Sequence, residues 1–294
     1  MALLKVEAEK LSANKLVSGV ITEIIDRDDL FAILPFTGIN GKAYVYNREN
    51  ELATADWLDP NDEVKEGAST FTEVTTNLRI LAGDVDVDKF ILTTMSDHNN
   101  QLAVQIAAKA KGLGRMFRKA LVQGDHSQRP KEFDGIEKLV VSTQTNDAGK
   151  KPLTFSMLDE LLSAVPLGAD CIMMRSGTLR AYMSLLRATS GTNAPLVMLP
   201  NFSMPICAHN GVPIIVNDFI PMNSTSDGCN VYAMRLNETD GLHGLYGGEN
   251  AGIVVESLGT VQNKDAVRTR LKWYCGLALK STKSLAALKD VKNV

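Results

Sequence analysis

Histidine is scarce in this chain of 294 residues, which holds only His98, His126, His209 and His243. None stands in an H-E-x-x-H, an H-x-x-E-H or a two-histidine metal spacing, so no zinc motif is announced. The G-x-S-x-G nucleophile elbow, the G-x-x-x-x-G-K-[ST] phosphate loop and the G-x-G-x-x-G dinucleotide turn are all missing from the sequence. Cysteine is equally sparse. Cys171, Cys207, Cys229 and Cys275 lie far apart without a C-x-x-C pair. That spacing predicts four buried, reduced thiols rather than a disulfide framework. Long apolar runs are absent too: none approaches the ~20 residues of a membrane span, and no charged start leads into a signal-peptide core. No charge of one sign dominates. A formal net charge of -3 excludes the strongly basic field of a protein that coats nucleic acid tightly. These absences predict a protein that works in a cytoplasm, its own or a host's, with no catalytic motif, no metal and no cofactor.

What is present is an ordinary globular composition, 45% hydrophobic and 22% charged. The length allows two domains or one composite one. Residues 1–10 carry few anchors and read as an arm. Ala13, Leu16, Val17, Val20 and Ile24 then fall on one side at helical spacing. A short apolar segment, Leu30 to Pro35, ends at its proline. Gly38 to Gly41 reads as a turn, and Lys42 to Asn47 alternates as a strand. Arg48 to Ser69 is a polar stretch crowded with acid (Glu49, Glu51, Asp56, Asp59, Asp62, Glu63 and Glu66), and a second strand pattern follows at Thr70 to Ile80. A loop that long is unusual inside a compact domain. Two strands with a charged tip predict a projecting hairpin that packs on another subunit.

The clearest element is a long helix. Leu102, Ile106, Ala110, Leu113, Phe117 and Leu121 form a single apolar stripe. Ser96 or Asp97 is its candidate N-cap and Gly124 its candidate stop, with a bend expected at Gly112 and Gly114. Gly124 to Lys151 reads as a polar loop with a turn at Phe133 to Ile136. Helices are expected over Pro152 to Val165 and Ser176 to Leu186. Strands are expected over Cys171 to Met174, Gly211 to Val216, Asn230 to Leu236 and Gly252 to Glu256. In the last long strand Val267, Thr269, Leu271, Trp273, Cys275, Leu277 and Leu279 face one way, and Arg268, Arg270, Lys272, Tyr274 and Lys280 the other. The class is α+β, with no internal repeat.

Three places hold chemistry-bearing residues. Gly244 to Gly248 is rich in glycine but lacks a following helix, which predicts a loop between strands. Cys207 lies two residues from His209, a candidate nucleophile and base, with no acid in sight to orient the histidine. On the long helix Lys111, Arg115, Arg118 and Lys119 cluster away from the apolar stripe. They form either a solvated face or a face that meets a polyanion loosely.

This order of elements resembles the tailed-phage major capsid proteins, whose fold encapsulins share. Residues 1–34 look like the N-terminal arm and 35–89 like the extended hairpin loop. Residues 90–152 with 265–294 resemble the peripheral domain with its spine helix, Gln101 to Gln123. Residues 153–264 are similar to the axial domain, including the Asn210-Gly211-Val212-Pro213-Ile214-Ile215-Val216 segment. The resemblance implies a non-enzymatic subunit that assembles into hexamers and pentamers of an icosahedral phage head, built in the host cytoplasm as part of the virion. It implies a separate scaffolding protein, a portal, a decoration protein as a further candidate, and double-stranded DNA contacted weakly and without sequence preference. An encapsulin nanocompartment shell is the alternative, and a small Cys-His hydrolase stands as the competitor from another class. The expected hairpin contacts between subunits are Arg48, Glu49, Trp57, Asp59, Glu63 and Lys65. The expected interior basic face is Lys111, Arg115, Arg118 and Lys119. Lys65 is the one lysine in the hairpin's distal half, and no partner for a covalent cross-link can be named.

Overall fold

The computed structural model describes residues 30, 33–51, 53, 55–60, 62–63, 66–89, 101–190, 195–198, 205–223, 227–248 and 252–292. The helix expected from Ala13 to Ile24 and the N-cap expected at Ser96 or Asp97 lie outside them.

The first strands among the described residues are β1 (Phe36–Ile39), β2 (Ala43–Glu51), β3 (Thr70–Asn77) and β4 (Arg79–Asp88). Helix α1 (Gln101–Gln123) and a single turn, α2 (Ile136–Leu139), follow. Next come β5 (Thr145–Asp147), α3 (Phe155–Ser163), β6 (Cys171–Met174) and α4 (Ser176–Ser190). Further strands among the described residues are β7 (Leu196–Val197), β8 (Ile206–His209), β9 (Val212–Val216), β10 (Gly228–Met234), β11 (Leu242–Gly247), β12 (Val254–Thr260), β13 (Ala266–Leu279) and β14 (Leu285–Lys292).

Two sheets and a hairpin result. In the first sheet β4, β11 and β12 all pair antiparallel with β13, and β1 joins β11 in parallel. The second runs β5-β14-β10-β6-β9-β8-β7. β2 and β3 pair only with each other among the described residues. The sheets draw their strands from several of the expected segments. β1 and β4 leave the hairpin segment for the first sheet, which also takes β11 and β12 from the segment 153–264. β14, assigned with 265–294 to the helix-bearing unit, instead sits in the second sheet between β5 and β10. Backbone hydrogen bonding across the chain, invisible to local pattern, makes these exchanges.

α1 lies on the first sheet through the stripe read from sequence: Ile106, Ala110, Leu113, Phe117 and Leu121 are buried, and Leu102 packs against them half-exposed. The Phe117 ring sits 4.6 Å from Trp273 and 5.5 Å from Phe133. Each large apolar side chain buried this way contributes about 1.5–3 kcal/mol. The helix runs unbroken through Gly112 and Gly114. It ends at Gly124, where a Cβ would strike the carbonyl oxygens of Phe133 and Ala120, so the following turn closes back on the helix end.

The central strands of the second sheet are buried on both faces, and the two-residue period of a strand divides their side chains between two cores. Cys171, Met173, Ile215, Tyr232, Met234, Leu285 and Ala287 join the core under α1. Their neighbours Ile172, Met174, Ile214, Val231, Ala233, Ala286 and Leu288 join the core beneath α3 and α4. The register aligns these rows: Ile214 lies beside Ile172, Ile172 beside Ala233, and Ala233 beside Ala286. A slip of one residue would exchange the two cores, so the sequence specifies the register strongly. All four cysteines are free and buried within these layers.

Candidate assembly surfaces

Alternation along β2 decides what the hairpin touches. Tyr44, Tyr46 and Arg48 point toward the body of the chain. The Tyr46 hydroxyl donates to the Leu279 carbonyl at 2.7 Å. Arg48 donates from Nε to the Lys280 carbonyl at 2.8 Å and from Nη2 to that of Leu279 at 2.7 Å. Tyr44 meets the buried His243 ring edge-on at 5.8 Å, and Lys280 Nζ lies 5.7 Å above the Tyr44 ring. Burial above all lowers the pKa of His243, which is therefore a neutral core residue. The alternate residues Val45, Asn47 and Glu49 face outward and are exposed. Among the residues expected at the hairpin contact, Arg48 has its guanidinium on carbonyls of its own chain and fixes the base of the hairpin.

Beyond β2 the described tip residues form no helix or strand, held locally by the Asp59 N–H on Asp62 Oδ2 at 2.9 Å and the Ala53 N–H on Ser69 Oγ at 3.1 Å. Trp57 is 104% exposed, and Leu58, Asp59 and Glu63 are exposed beside it. Trp57 is thus a fully hydrated indole, unusual for so large an apolar side chain. Lys65 lies outside the described residues.

The basic residues of α1 divide. Lys111, Arg115 and Lys119 are exposed, whereas Arg118 is half-buried and donates to the Val216 carbonyl at 3.1 Å. Arg115 and Arg118 both sit 5.9 Å from the centroid of the Phe219 ring, and the Gln123 side chain donates to the Phe219 carbonyl. Part of this face therefore ties the helix to the loop after β9. The anchor is extended by Asp218, whose carboxylate accepts from the Ser176 N–H at 3.0 Å and hydroxyl at 2.7 Å. Burial opposes its charge, yet those bonds and the charges of Arg175 and Arg118 hold its carboxyl below the usual range.

The Cys207–His209 pair acquires an acid that the sequence did not reveal, because it lies 50 residues away. His209 Nε2 is 2.9 Å from Asp159 Oδ1, and its Nδ1 is 3.2 Å from the Tyr182 hydroxyl. The imidazole stacks on Phe155 with centroids 6.0 Å apart, and Tyr182 donates to the Ala208 carbonyl at 3.1 Å. Burial pushes the Cys207 thiol up, against what a thiolate nucleophile requires. Burial above all, with Cys207 and Asp159 nearby, also pushes Tyr182 up to about 12. The cluster is a polar strut joining α3 and α4 to β8. Among the described residues no group of three His, Cys, Asp or Glu side chains could hold a metal ion, and no helix is long and apolar enough to cross a membrane.

No protein-family model matches the chain, and no curated protein matches its sequence. Solved structures do. The holo-SrpI encapsulin complex from Synechococcus elongatus PCC 7942 is similar at TM-score 0.73 and 22% identity, over 99% of this chain and 97% of that one. The capsid of a native GTA particle is similar at TM-score 0.67 and 14% identity, over 89% of each chain. Microbacterium phage Oxtober96 gives TM-score 0.65 and 14% identity over 90% of each. At 14–22% identity these likenesses are likenesses of fold. The chain has the tailed-phage major capsid fold that encapsulins share.

Proposed function

We propose that this chain is the subunit of a self-assembling closed shell and does no catalysis. The observation that carries the reading is the hairpin: its inward side chains are committed to its own subunit, while Trp57 and the acidic tip are left in water. A monomer gains nothing from such an arrangement, and a neighbouring copy supplies the missing contact. Glu49, Trp57, Asp59, Glu63 and Lys65 are the tip residues assigned to that contact.

For the contents we keep the phage head, a shell of hexamers and pentamers closing around double-stranded DNA in a host cytoplasm. A scaffolding protein, a portal and a decoration protein are its further partners. Lys111, Arg115 and Lys119 supply a weak, sequence-independent contact with phosphate. The nanocompartment reading has its own support, because the likeness to the encapsulin extends over 97% of that chain. Deleting residues 52–65 tests the shell: the account expects a folded chain that forms no closed particles, and normal particles would overturn it. Nucleic acid protected from nuclease inside full-chain particles separates a head from a protein-filled compartment.

A further inference from the structure

A pocket of about 120 Å³ opens between β4, the last turns of α1 and the loop before α2. Its floor is apolar: Phe117, Phe133 and Leu81 line it. Its rim is basic. Arg79, Lys119, Arg129 and Lys131 surround the opening, and the one carboxylate there, Glu132, is paired with Arg129 at 3.1 Å. Arg79 is held toward the pocket by His126 at 2.8 Å, and its Nε is buried without a hydrogen-bond partner. Ile80 and Met116 lie at the lip with 72% and 54% of their surface in water. Water gains little from such a site. It fits an apolar side chain carried between carboxylates.

The chain itself displays that segment. Asp56-Trp57-Leu58-Asp59 places an indole and a leucine between two acids at the hairpin tip, and the 104% exposure of Trp57 shows that it does not occupy its own subunit's pocket. Tryptophan seated in a desolvated pocket is the commonest kind of interface anchor. We propose that this pocket receives Trp57 from the hairpin of an adjacent copy, with Asp56 and Asp59 against Lys119 and Lys131. The proposal rests on the shell reading and names the receiving site within it.

Paired cysteines test it. Leu58→Cys with Met116→Cys, assembled from the full chain and treated with a mild oxidant that accepts the two thiol electrons, is expected to give covalent dimers and higher multimers on non-reducing gels. Either single variant should give none. Particles without cross-links would overturn the pocket assignment and leave the shell reading standing. A Met116→Cys thiol shielded from maleimide in those particles would then point to a different occupant, and that result also overturns the assignment. No particles from the unaltered chain, even with a scaffold supplied, would defeat both. Should the cysteine pair itself block assembly, a charge exchange decides. Lys119→Glu with Lys131→Glu is expected to lower particle yield at least about ten-fold. Adding Asp56→Lys and Asp59→Lys should restore it, and failure to restore it contradicts the proposal.

Discussion

The guanidinium of Arg48 reaches the carbonyl oxygen of Leu279 at 2.7 Å, spanning 231 positions of sequence to hold the hairpin on the end of β13. A second bond to Lys280 makes the contact a fork, the geometry for which arginine is suited and lysine is not. Arg48→Ala removes two hydrogen bonds from a charged donor, a loss of about 1.5–3 kcal/mol. Thermal unfolding should show a lower Tm for Arg48→Ala, only partly recovered in Arg48→Lys. An unchanged Tm would mean that the fork adds nothing.

A ladder of ion pairs crosses the outer face of the first sheet. Arg270 grips both oxygens of Asp84 at 2.7 and 2.8 Å, and Arg268 grips those of Asp86 at 2.7 Å each. The hydrogen bonds from these arginines are the main cause holding both carboxyls below the ordinary carboxylate range. Groups with depressed pKa values stabilise the fold fully above the unfolded value of about 4, and lose that contribution as pH falls through the folded value. Stability should therefore decline below about pH 4. Asp84→Asn with Asp86→Asn should flatten that acid limb, measured by denaturant unfolding across pH. The effect should shrink in high salt, because the pairs are exposed.

Gly112 inside α1 and Gly124 just past its end should respond in opposite ways to alanine. A Cβ on Gly112 meets nothing within 4 Å, so Gly112→Ala gains about 0.5–1 kcal/mol from helix propensity. A Cβ on Gly124 collides with backbone carbonyls, which cannot rotate away as a side chain can, and Gly124→Ala should cost about 1–3 kcal/mol. Denaturation midpoints of the two variants check the sign of each.

Cys207→Ala should leave particle formation intact. Its thiol is buried and raised in pKa, so native particles should react slowly with maleimide at neutral pH. Rapid labelling, or loss of assembly on substitution, would give Cys207 a role that this account denies it.

Much of this molecule was legible one element at a time. The stripe from Leu102 to Leu121 gave the α1 helix with its buried face, and the uninterrupted apolar run Cys171 to Met174 marked a strand covered on both sides. The alternation expected from Val267 holds from Thr269 to Cys275, after which the strand is buried on both faces. Glycine hid two other strands. Gly38 to Gly41 read as a turn and Gly244 to Gly248 as a loop, yet β1 and β11 pair there with Phe36 opposite Gly244 and Tyr246 opposite Gly38. Each ring lies over a glycine where any Cβ would collide with it. A bare strand position filled by an aromatic ring from the next strand cannot be seen in either segment alone.

The candidate surfaces divided in the same way. Exposure of Glu49, Asp59 and Glu63 followed from their charge. The commitment of Arg48 to its own chain did not, because its acceptors are carbonyls far along the sequence. Asp159 escaped notice beside His209 for the same reason: α3 meets the β8–β9 turn through contacts 50 and 51 residues apart in sequence.

The most direct test is to image the full chain, expressed alone and then with a scaffold, by negative-stain electron microscopy after size-exclusion chromatography. The account predicts closed particles or capsomer rings. A monodisperse monomer or dimer that persists with the scaffold present would contradict it.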